Sequence, residues 1–306
     1  MLGTNKPLIT FALFAYNQER FVREAVEGAL GQDYDSLEII LSDDCSGDRT
    51  FEVMTEMVES YAGPHRIILN KNDRNLGIGG HIKKVSSLSN GDIIVMAAGD
   101  DISSSQRVSS LAQCYDINTY AVFSEGYRFC RNKKIIHRSW IKNVSITLSD
   151  IVKGGGGVGT GATYSYRKEC FSQPWLYPTE FINEDRLLPL RAILLGSIKY
   201  LAKPLVFCRV HENNVSRKSD FVLAVDNPKH MLEVLRTLNF YLESGCAVKE
   251  KKRNIGRAKN LVMFDIKTFR HKKTFTIRVA YSIGLFVYII CSNMIRKCFI
   301  CLFGKQ

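Results

Sequence analysis

DIIVMAAGDD, residues 92–101, joins an apolar run to a glycine and two adjacent acids, Asp100 and Asp101. The run predicts a buried strand. The carboxylates that follow it would be costly to bury unless they are solvated, paired or bound to a cation. Oxygen ligands of this kind suit a divalent metal ion. The alternative is a turn and a helix N-cap, which the serines at 103–105 also favour.

Three further apolar runs precede this stretch, and segments with helical spacing separate them. Strands alternating with helices predict an α/β fold with a mostly parallel central sheet flanked by helices. Asn17 and Thr50 are predicted N-caps of the first two helices, and Val22, Ala25, Val26 and Ala29 form the predicted buried face of the first. The other predicted strands cover 8–16, 37–42 and 66–70.

Polar residues follow each predicted strand, at the edge where parallel sheets bind ligands. Asp43 and Asp44 follow the second strand. One of these carboxylates could accept the imide N–H of a uracil or thymine ring while the other caps a turn, and turn chemistry for both is the alternative. Behind the other strands stand Tyr16, Asn17, Glu19, Asn75, Gly77, Asp100 and Asp101.

The middle of the chain predicts strands at 120–129 and 203–211, and over 154–166 a glycine-rich loop that runs into a further strand. That loop lacks the Gly-Lys-Ser/Thr ending of a phosphate loop. We expect it to line the side of the site where an acceptor substrate binds. Glu184 and Asp185 open a helical stretch, where an acid either caps the helix or serves as a general base for a hydroxyl. His211 is either structural or a diphosphate contact.

Charge divides the 306-residue chain unevenly. Residues 249–306 hold 14 Lys and Arg against two acids, whereas the first 248 residues hold 28 of each sign. Among the nine cysteines, Cys298 and Cys301 form C-F-I-C, but no second Cys or His pair accompanies them, so we expect no zinc site. The scattered cysteines fit a reducing compartment, and we expect no secretory signal. These observations predict a body over 1–215 and a helical region over 216–306 whose basic tail contacts an anionic partner.

The stretches FAYNQERF (14–21), DDCSGDRT (43–50), NLG (75–77) and GDD (99–101) together resemble family 2 glycosyltransferases, in particular bacterial enzymes that build surface polysaccharides such as O-antigen or capsule. The resemblance covers about residues 8–215. It implies a GT-A fold, a nucleotide-sugar donor (UDP- or dTDP-linked), a saccharide or lipid-linked saccharide acceptor, and Mn²⁺ or Mg²⁺ as cofactor.

The resemblance also implies roles for single residues. Asp185 would be the catalytic base, and Asp100 would hold the metal with Asp101 beside it and His211 in reach. The first Asp of the family's D-x-D motif is Ala98 here. The residues implied to bind the nucleotide-sugar are Ala15, Tyr16, Glu19, Asp43, Asp44, Asn75, Gly77, Asp100 and Glu184.

The mechanism implied is a single displacement with inversion, in which the metal stabilises the departing diphosphate. Ala98 motivates an alternative, a nucleotide-binding module of the same fold without catalysis. A nucleotidyltransferase is a third hypothesis, but it would need a glycine-rich basic signature near the first strand, and FALFAYNQE (11–19) has none.

The tail predicts contact with a membrane. Residues 279–295 carry no formal charge and are flanked by Arg278, Arg296 and Lys297. Because a spanning helix needs about 20 apolar residues, we expect peripheral attachment of 249–306 to an anionic cytoplasmic leaflet. A spanning helix and a helix packed on the body are the alternatives. We expect a cytoplasmic enzyme at the inner face of the cell membrane, with no nucleic-acid partner.

Overall fold

A computed structural model describes residues 6–130, 133–137, 146–148, 151, 159–171, 184–211 and 237. The chain divides into two compact units, Met1–His211 and Glu212–Gln306. The basic tail, the apolar run 279–295 and most of the glycine-rich loop lie outside the described residues. Among the residues that are described, no helix has both the length and the apolarity to cross a membrane.

The first four strands form the parallel half of one sheet, as the sequence predicts. They are β1 (Ile9–Ala15), β2 (Leu37–Asp43), β3 (Arg66–Lys71) and β4 (Ile93–Ala98), in the order β3-β2-β1-β4. Almost every residue of β1 and β2 is buried, since helices cover both faces of a parallel sheet. The chain order reverses beside β1, which creates the switch point where such sheets bind ligands.

Three helices connect these strands: α1 (Val22–Leu30), α2 (Thr50–Glu59) and α3 (Gly77–Leu88). The predicted buried face of α1 is confirmed. Both N-cap predictions are wrong. The Asn17 side chain accepts the amide of Gly47 in the neighbouring loop, 2.9 Å away, well before α1 begins. Thr50 lies inside α2, and its amide donates to the carboxylate of Asp48 at 3.0 Å.

The second half of the sheet is mixed. After β5 (Ile102–Ser103) and α4 (Arg107–Ala112) come β6 (Thr119–Cys130), β7 (Lys133–His137), β8 (Tyr164–Arg167), α5 (Glu184–Leu195) and β9 (Ser197–Arg209). The sheet continues from β4 as β8-β6-β9-β5, and β7 pairs with β6. β8 runs antiparallel to β4 and β6, whereas β9 runs parallel to β6. The prediction of a mostly parallel sheet therefore holds for the first four strands.

Arg107 joins the two halves of the sheet from within the core. The residue is fully buried, and its guanidinium donates to the carbonyl of Met96 in β4 at 2.7 Å and to that of Ala162 before β8 at 2.6 Å. A third hydrogen bond reaches the Ser103 hydroxyl at 3.0 Å. Burial lowers the pKa of Arg107 to about 10, so the side chain stays a cation at neutral pH.

We expect Arg107→Met to lower the free energy of unfolding by about 2–4 kcal/mol, because it strands two buried carbonyls without a donor. Urea denaturation measures the change. Arg23→Met is the matched control: Arg23 is exposed and pairs with Glu56 at 3.3 Å, so its loss should cost less than about 1 kcal/mol. Equal losses in the two variants would contradict the structural role of Arg107.

Candidate functional site

The carboxyl ends of β1, β2 and β4 lie level with one another. Ala15 is the register partner of Asp43, and Phe14 is the partner of Ala98. Backbone hydrogen bonds continue past the strands, from Asp44 N to Ala15 O at 2.9 Å and from Gly99 N to Phe14 O at 2.8 Å. The residues that follow the three strands therefore share one edge of the sheet, as the sequence predicts.

Asp43 and Asp44 have different environments, although both are almost completely buried. Asp43 closes its own turn: its carboxylate accepts the amide of Ser46 at 2.9 Å and the hydroxyl of the same residue. Asp44 reaches into the next loop, where its Oδ1 accepts the side-chain amide of Asn72 at 2.8 Å and the backbone amide of Leu76 at 2.9 Å. Asp43 is thus committed to local structure, and Asp44 organises the loop that begins α3.

The loop after β1 is joined to the loop after β2. Asn17, at a φ of 52°, donates its amide to the Ser46 hydroxyl at 2.8 Å. The Glu19 carboxylate accepts the amide of Arg49 at 3.0 Å, and the Glu19 amide donates to Asp48 at 3.1 Å. Glu19 therefore holds the two loops together.

Tyr16 lies in the same loop and is 47% exposed, which leaves its ring available to a ligand at the sheet edge. Ala15 is buried, and its Cβ would be 2.9 Å from any Cβ at Gly99. The predicted residues of the third loop share one turn, in which the Asn75 side chain accepts the Gly77 amide at 2.8 Å. Gly77 has a φ of 67°, a conformation that favours glycine.

Asp100 and His211 meet at the end of β4. Asp100 Oδ2 and His211 Nε2 are 2.9 Å apart, and the two side chains are 13% and 15% exposed. Asp101 is separated from this pair, because its Oδ1 accepts the backbone amide of Arg209 at 2.9 Å. Burial, with a smaller effect of the neighbouring Asp100 charge, raises the pKa of Asp101 to about 7.

Arg209 holds this region together and was not among the predicted site residues. Its Nε donates to the backbone carbonyl of Asp100 at 3.1 Å, and its guanidinium pairs with Glu24 of α1 at 3.0 Å. The guanidinium also lies 4.9 Å and 4.7 Å from the ring centroids of Phe21 and Phe129. The sequence carried a signal for it, because Arg209 is the arginine of the R-V-H segment that ends with His211.

The pair of Asp100 and His211 fits one side of a divalent metal site. Asp100 Oδ2 and His211 Nε2 are hydrogen-bonded at 2.9 Å, and a carboxylate oxygen and an imidazole nitrogen are both donor atoms for divalent ions. The described residues contain no group of three or more His, Cys, Asp or Glu side chains placed to hold a metal. A metal here would take its other ligands from a substrate or from water.

Glu184 and Asp185 begin α5, where the structure gives Glu184 an unusual environment. Burial, and then the charge of Asp185, raises the pKa of Glu184 to about 8. Its carboxylate packs so closely on Gly161 that a Cβ at that position would overlap Glu184 Oε1. Ala162, next in the chain, is the residue whose carbonyl accepts Arg107. Arg107 thereby connects the start of α5 to β4, the strand that leads to Asp100.

Comparison with known proteins agrees with this geometry. The model of the family described as Glycosyl transferase family 2 matches residues 10–173, more than half of the chain. The putative glycosyltransferase EpsE of Bacillus subtilis is 31% identical over 102 residues, which cover 33% of this chain and 36% of the relative. The abequosyltransferase RfbV of Salmonella typhimurium is 25% identical over 242 residues, 69% of each chain.

A third relative is the Escherichia coli protein WfaP, a UDP-Glc:alpha-D-GlcNAc-diphosphoundecaprenol beta-1,3-glucosyltransferase. It is 30% identical over 116 residues, 38% of this chain and 43% of the relative. The matches with the first curated relatives span only 36% to 58% of those relatives' length.

Two solved structures share the fold. The structure of S. aureus TarS 1–349 in complex with UDP-GlcNAc has a TM-score of 0.58 at 16% identity and covers 93% of this chain and 94% of its own. Mannosyltransferase PcManGT from Pyrobaculum calidifontis in complex with GDP-Man and Mn²⁺ has a TM-score of 0.57 at 14% identity, covering 99% and 89%. The fold is therefore GT-A, and the chain belongs to glycosyl transferase family 2.

Proposed function

We propose that this transferase moves a sugar from a UDP- or dTDP-linked donor to a saccharide hydroxyl, with inversion at the anomeric carbon, in surface polysaccharide biosynthesis. One observation carries the proposal: Asp44 and Asp100 follow β2 and β4, the two strands that flank β1, at a single edge of the sheet. That edge offers a carboxylate for a base and a carboxylate for a metal-bound diphosphate.

Asp44 is the residue we assign to the base. Within the described chain the hydrogen bonds of its carboxylate all involve Oδ1, so Oδ2 is the atom for a ligand. A uracil or thymine ring presents one imide N–H to such an atom, whereas guanine presents two neighbouring donors that need both carboxylate oxygens. The exposed ring of Tyr16 provides a surface on which the base can stack.

Asp100 and His211 are the residues we assign to Mn²⁺ or Mg²⁺. When bound, the metal would neutralise charge on the diphosphate as that group leaves. Since Ala98 replaces the first Asp of the D-x-D motif, Asp100 is the acid we expect to contact the metal. Arg209 fixes the Asp100 main chain from β9, while Asp101 stays in the protein interior and stabilises the loop.

Asp185 is the residue we assign as general base. In a single displacement the bond from the anomeric carbon to the diphosphate oxygen breaks as the acceptor oxygen bonds to that carbon. The acceptor proton passes to the Asp185 carboxylate. The raised pKa of Glu184 keeps that neighbour mostly protonated at pH 7, and a neutral neighbour favours the ionised form of Asp185.

A lipid-linked saccharide is the acceptor we favour. The name of the relative WfaP specifies a diphosphoundecaprenol-linked acceptor, and residues 249–306 combine 14 Lys and Arg with an uncharged run at 279–295. Such a segment suits peripheral attachment to the anionic inner face of the cell membrane, where it would bring the enzyme to its acceptor.

A nucleotide-binding module without catalysis is the second candidate, and the replacement at Ala98 favours it.

Turnover distinguishes the two candidates. With Mn²⁺, a panel of nucleotide-sugars and membrane extract as acceptor source, we expect one donor to release its nucleoside diphosphate. Asp185→Asn should lower kcat at least about 100-fold, since it removes the proton acceptor. Asp100→Ala should abolish release, and the exposed-site control Asp33→Asn should match wild type. Nucleotide binding without turnover of any donor would favour the module.

Base selection tests Asp44 directly. We expect UDP to bind at least about tenfold more tightly than GDP, because a single carboxylate oxygen serves the base. Asp44→Asn should remove most of that preference, because it weakens the binding of UDP and leaves the binding of GDP nearly unchanged. Isothermal titration calorimetry with Mn²⁺ measures both constants. Tighter binding of GDP to the wild-type protein would contradict the assignment.

The pH dependence of stability tests the environment of Glu184. Its pKa is about 8 in the folded protein against an ordinary value of 4.5, so between these values the folded state keeps a proton that the unfolded chain has released. Stability should therefore fall as pH rises through this window. Glu184→Gln cannot titrate, so its stability relative to wild type should increase from pH 5 to pH 8 in urea denaturation. An opposite trend would show a lowered pKa.

A further inference from the structure

A line of four polar side chains runs from Asp44 into the protein interior. Asn72 donates to Asp44 Oδ1 at 2.8 Å, and Asn70 donates to Asn72 Oδ1 at 3.0 Å. Asn70 also donates to the Ser42 hydroxyl at 3.0 Å. Ser42 Oγ in turn lies 2.6 Å from Nε2 of His81. We name these four residues, His81, Ser42, Asn70 and Asn72, the Asp44 relay.

The Asp44 carboxylate fixes the direction of the hydrogen bonds that Asn72 and Asn70 donate in the relay. A carboxylate only accepts, so the NH₂ of Asn72 faces Asp44 and its oxygen faces Asn70. The NH₂ of Asn70 then supplies one hydrogen to Asn72 and its other to Ser42. Within the described residues the Ser42 hydroxyl has one remaining acceptor, His81 Nε2. Donation from the Ser42 hydroxyl to this atom gives the hydroxyl proton an acceptor and places the proton of a neutral His81 on Nδ1.

His81 is held where a neutral ring is favoured. It lies on the buried side of α3, and its ring meets that of Phe14 edge to face, with centroids 5.1 Å apart. Burial lowers the pKa of His81, although the charges of Asp44 and Asp43 oppose the shift. A neutral imidazole with an unprotonated Nε2 is the form that accepts the Ser42 proton.

We propose that the Asp44 relay positions the Asp44 carboxylate for the nucleotide base. This inference rests on the proposed contact between Asp44 and the base. By engaging Oδ1 from one side, Asn72 fixes the rotation of the carboxylate, so Oδ2 is presented in a single orientation before the ligand arrives. The residues behind Asn72 act through it, because a buried amide whose partners are all in place has one stable orientation.

The test compares binding of UDP with binding of inorganic pyrophosphate, both with Mn²⁺. We expect Asn72→Ala to weaken the binding of UDP about tenfold, because Asp44 loses a buried hydrogen bond. His81→Leu should weaken the binding of UDP about threefold to tenfold. His81→Gln has a side-chain oxygen that can replace Nε2, so its affinity for UDP should stay within about twofold of wild type. Pyrophosphate binding should not change in any of these variants. If the variants were only destabilised in general, the binding of both UDP and pyrophosphate would weaken, and His81→Gln would bind UDP no better than His81→Leu.

Asp44→Asn distinguishes the contact of Asp44 with the base from the positioning role of the Asp44 relay. If this variant binds UDP as tightly as wild type, the base contact in the proposed function is wrong. If it weakens UDP while Asn72→Ala and His81→Leu do not, the contact stands and the positioning role is overturned. Nitrogen-15 NMR of the wild-type histidines gives an independent result that needs no variant to fold. The Nδ1–H tautomer is expected for His81, and a proton on Nε2 would overturn the relay.

Discussion

A carboxylate removed from water must receive hydrogen bonds, and Asp43 and Asp44 meet this requirement at the end of β2 with only 0% and 3% exposure. The loops around them follow from it. Ser46 turns back to supply Asp43, and the loop before α3 is drawn in because Leu76 and Asn72 supply Asp44. The shape of the site edge is thus set by two acids that the surrounding backbone must satisfy.

A carboxylate that follows β4 makes a similar link to β9. The Asp101 carboxylate accepts the backbone amide of Arg209 in β9 at 2.9 Å. The Arg209 side chain then pairs with Glu24 of α1, so the last strand contacts the first helix.

Sequence reasoning succeeded where the signal is local. The strands β1 to β4 and the buried face of α1 follow from apolar spacing alone, and so does the shared edge of the polar residues. It failed where a side chain is used by a distant partner: Asn17 serves the loop at Gly47 rather than α1. The sequence predicted that one of Asp43 and Asp44 caps a turn but not which one, because that depends on which loop approaches each carboxylate.

Because Ala98 replaces an acid, the proposed metal site needs a ligand from the end of β9. With Asp100 as the acid in contact, His211 becomes the second protein ligand, and its ring is oriented by Phe21 at 4.6 Å. These two ligands lie at the ends of β4 and β9, strands that are not neighbours in the sheet. A metal bound between them would join the parallel and mixed halves of the sheet, so its binding would also stabilise the fold.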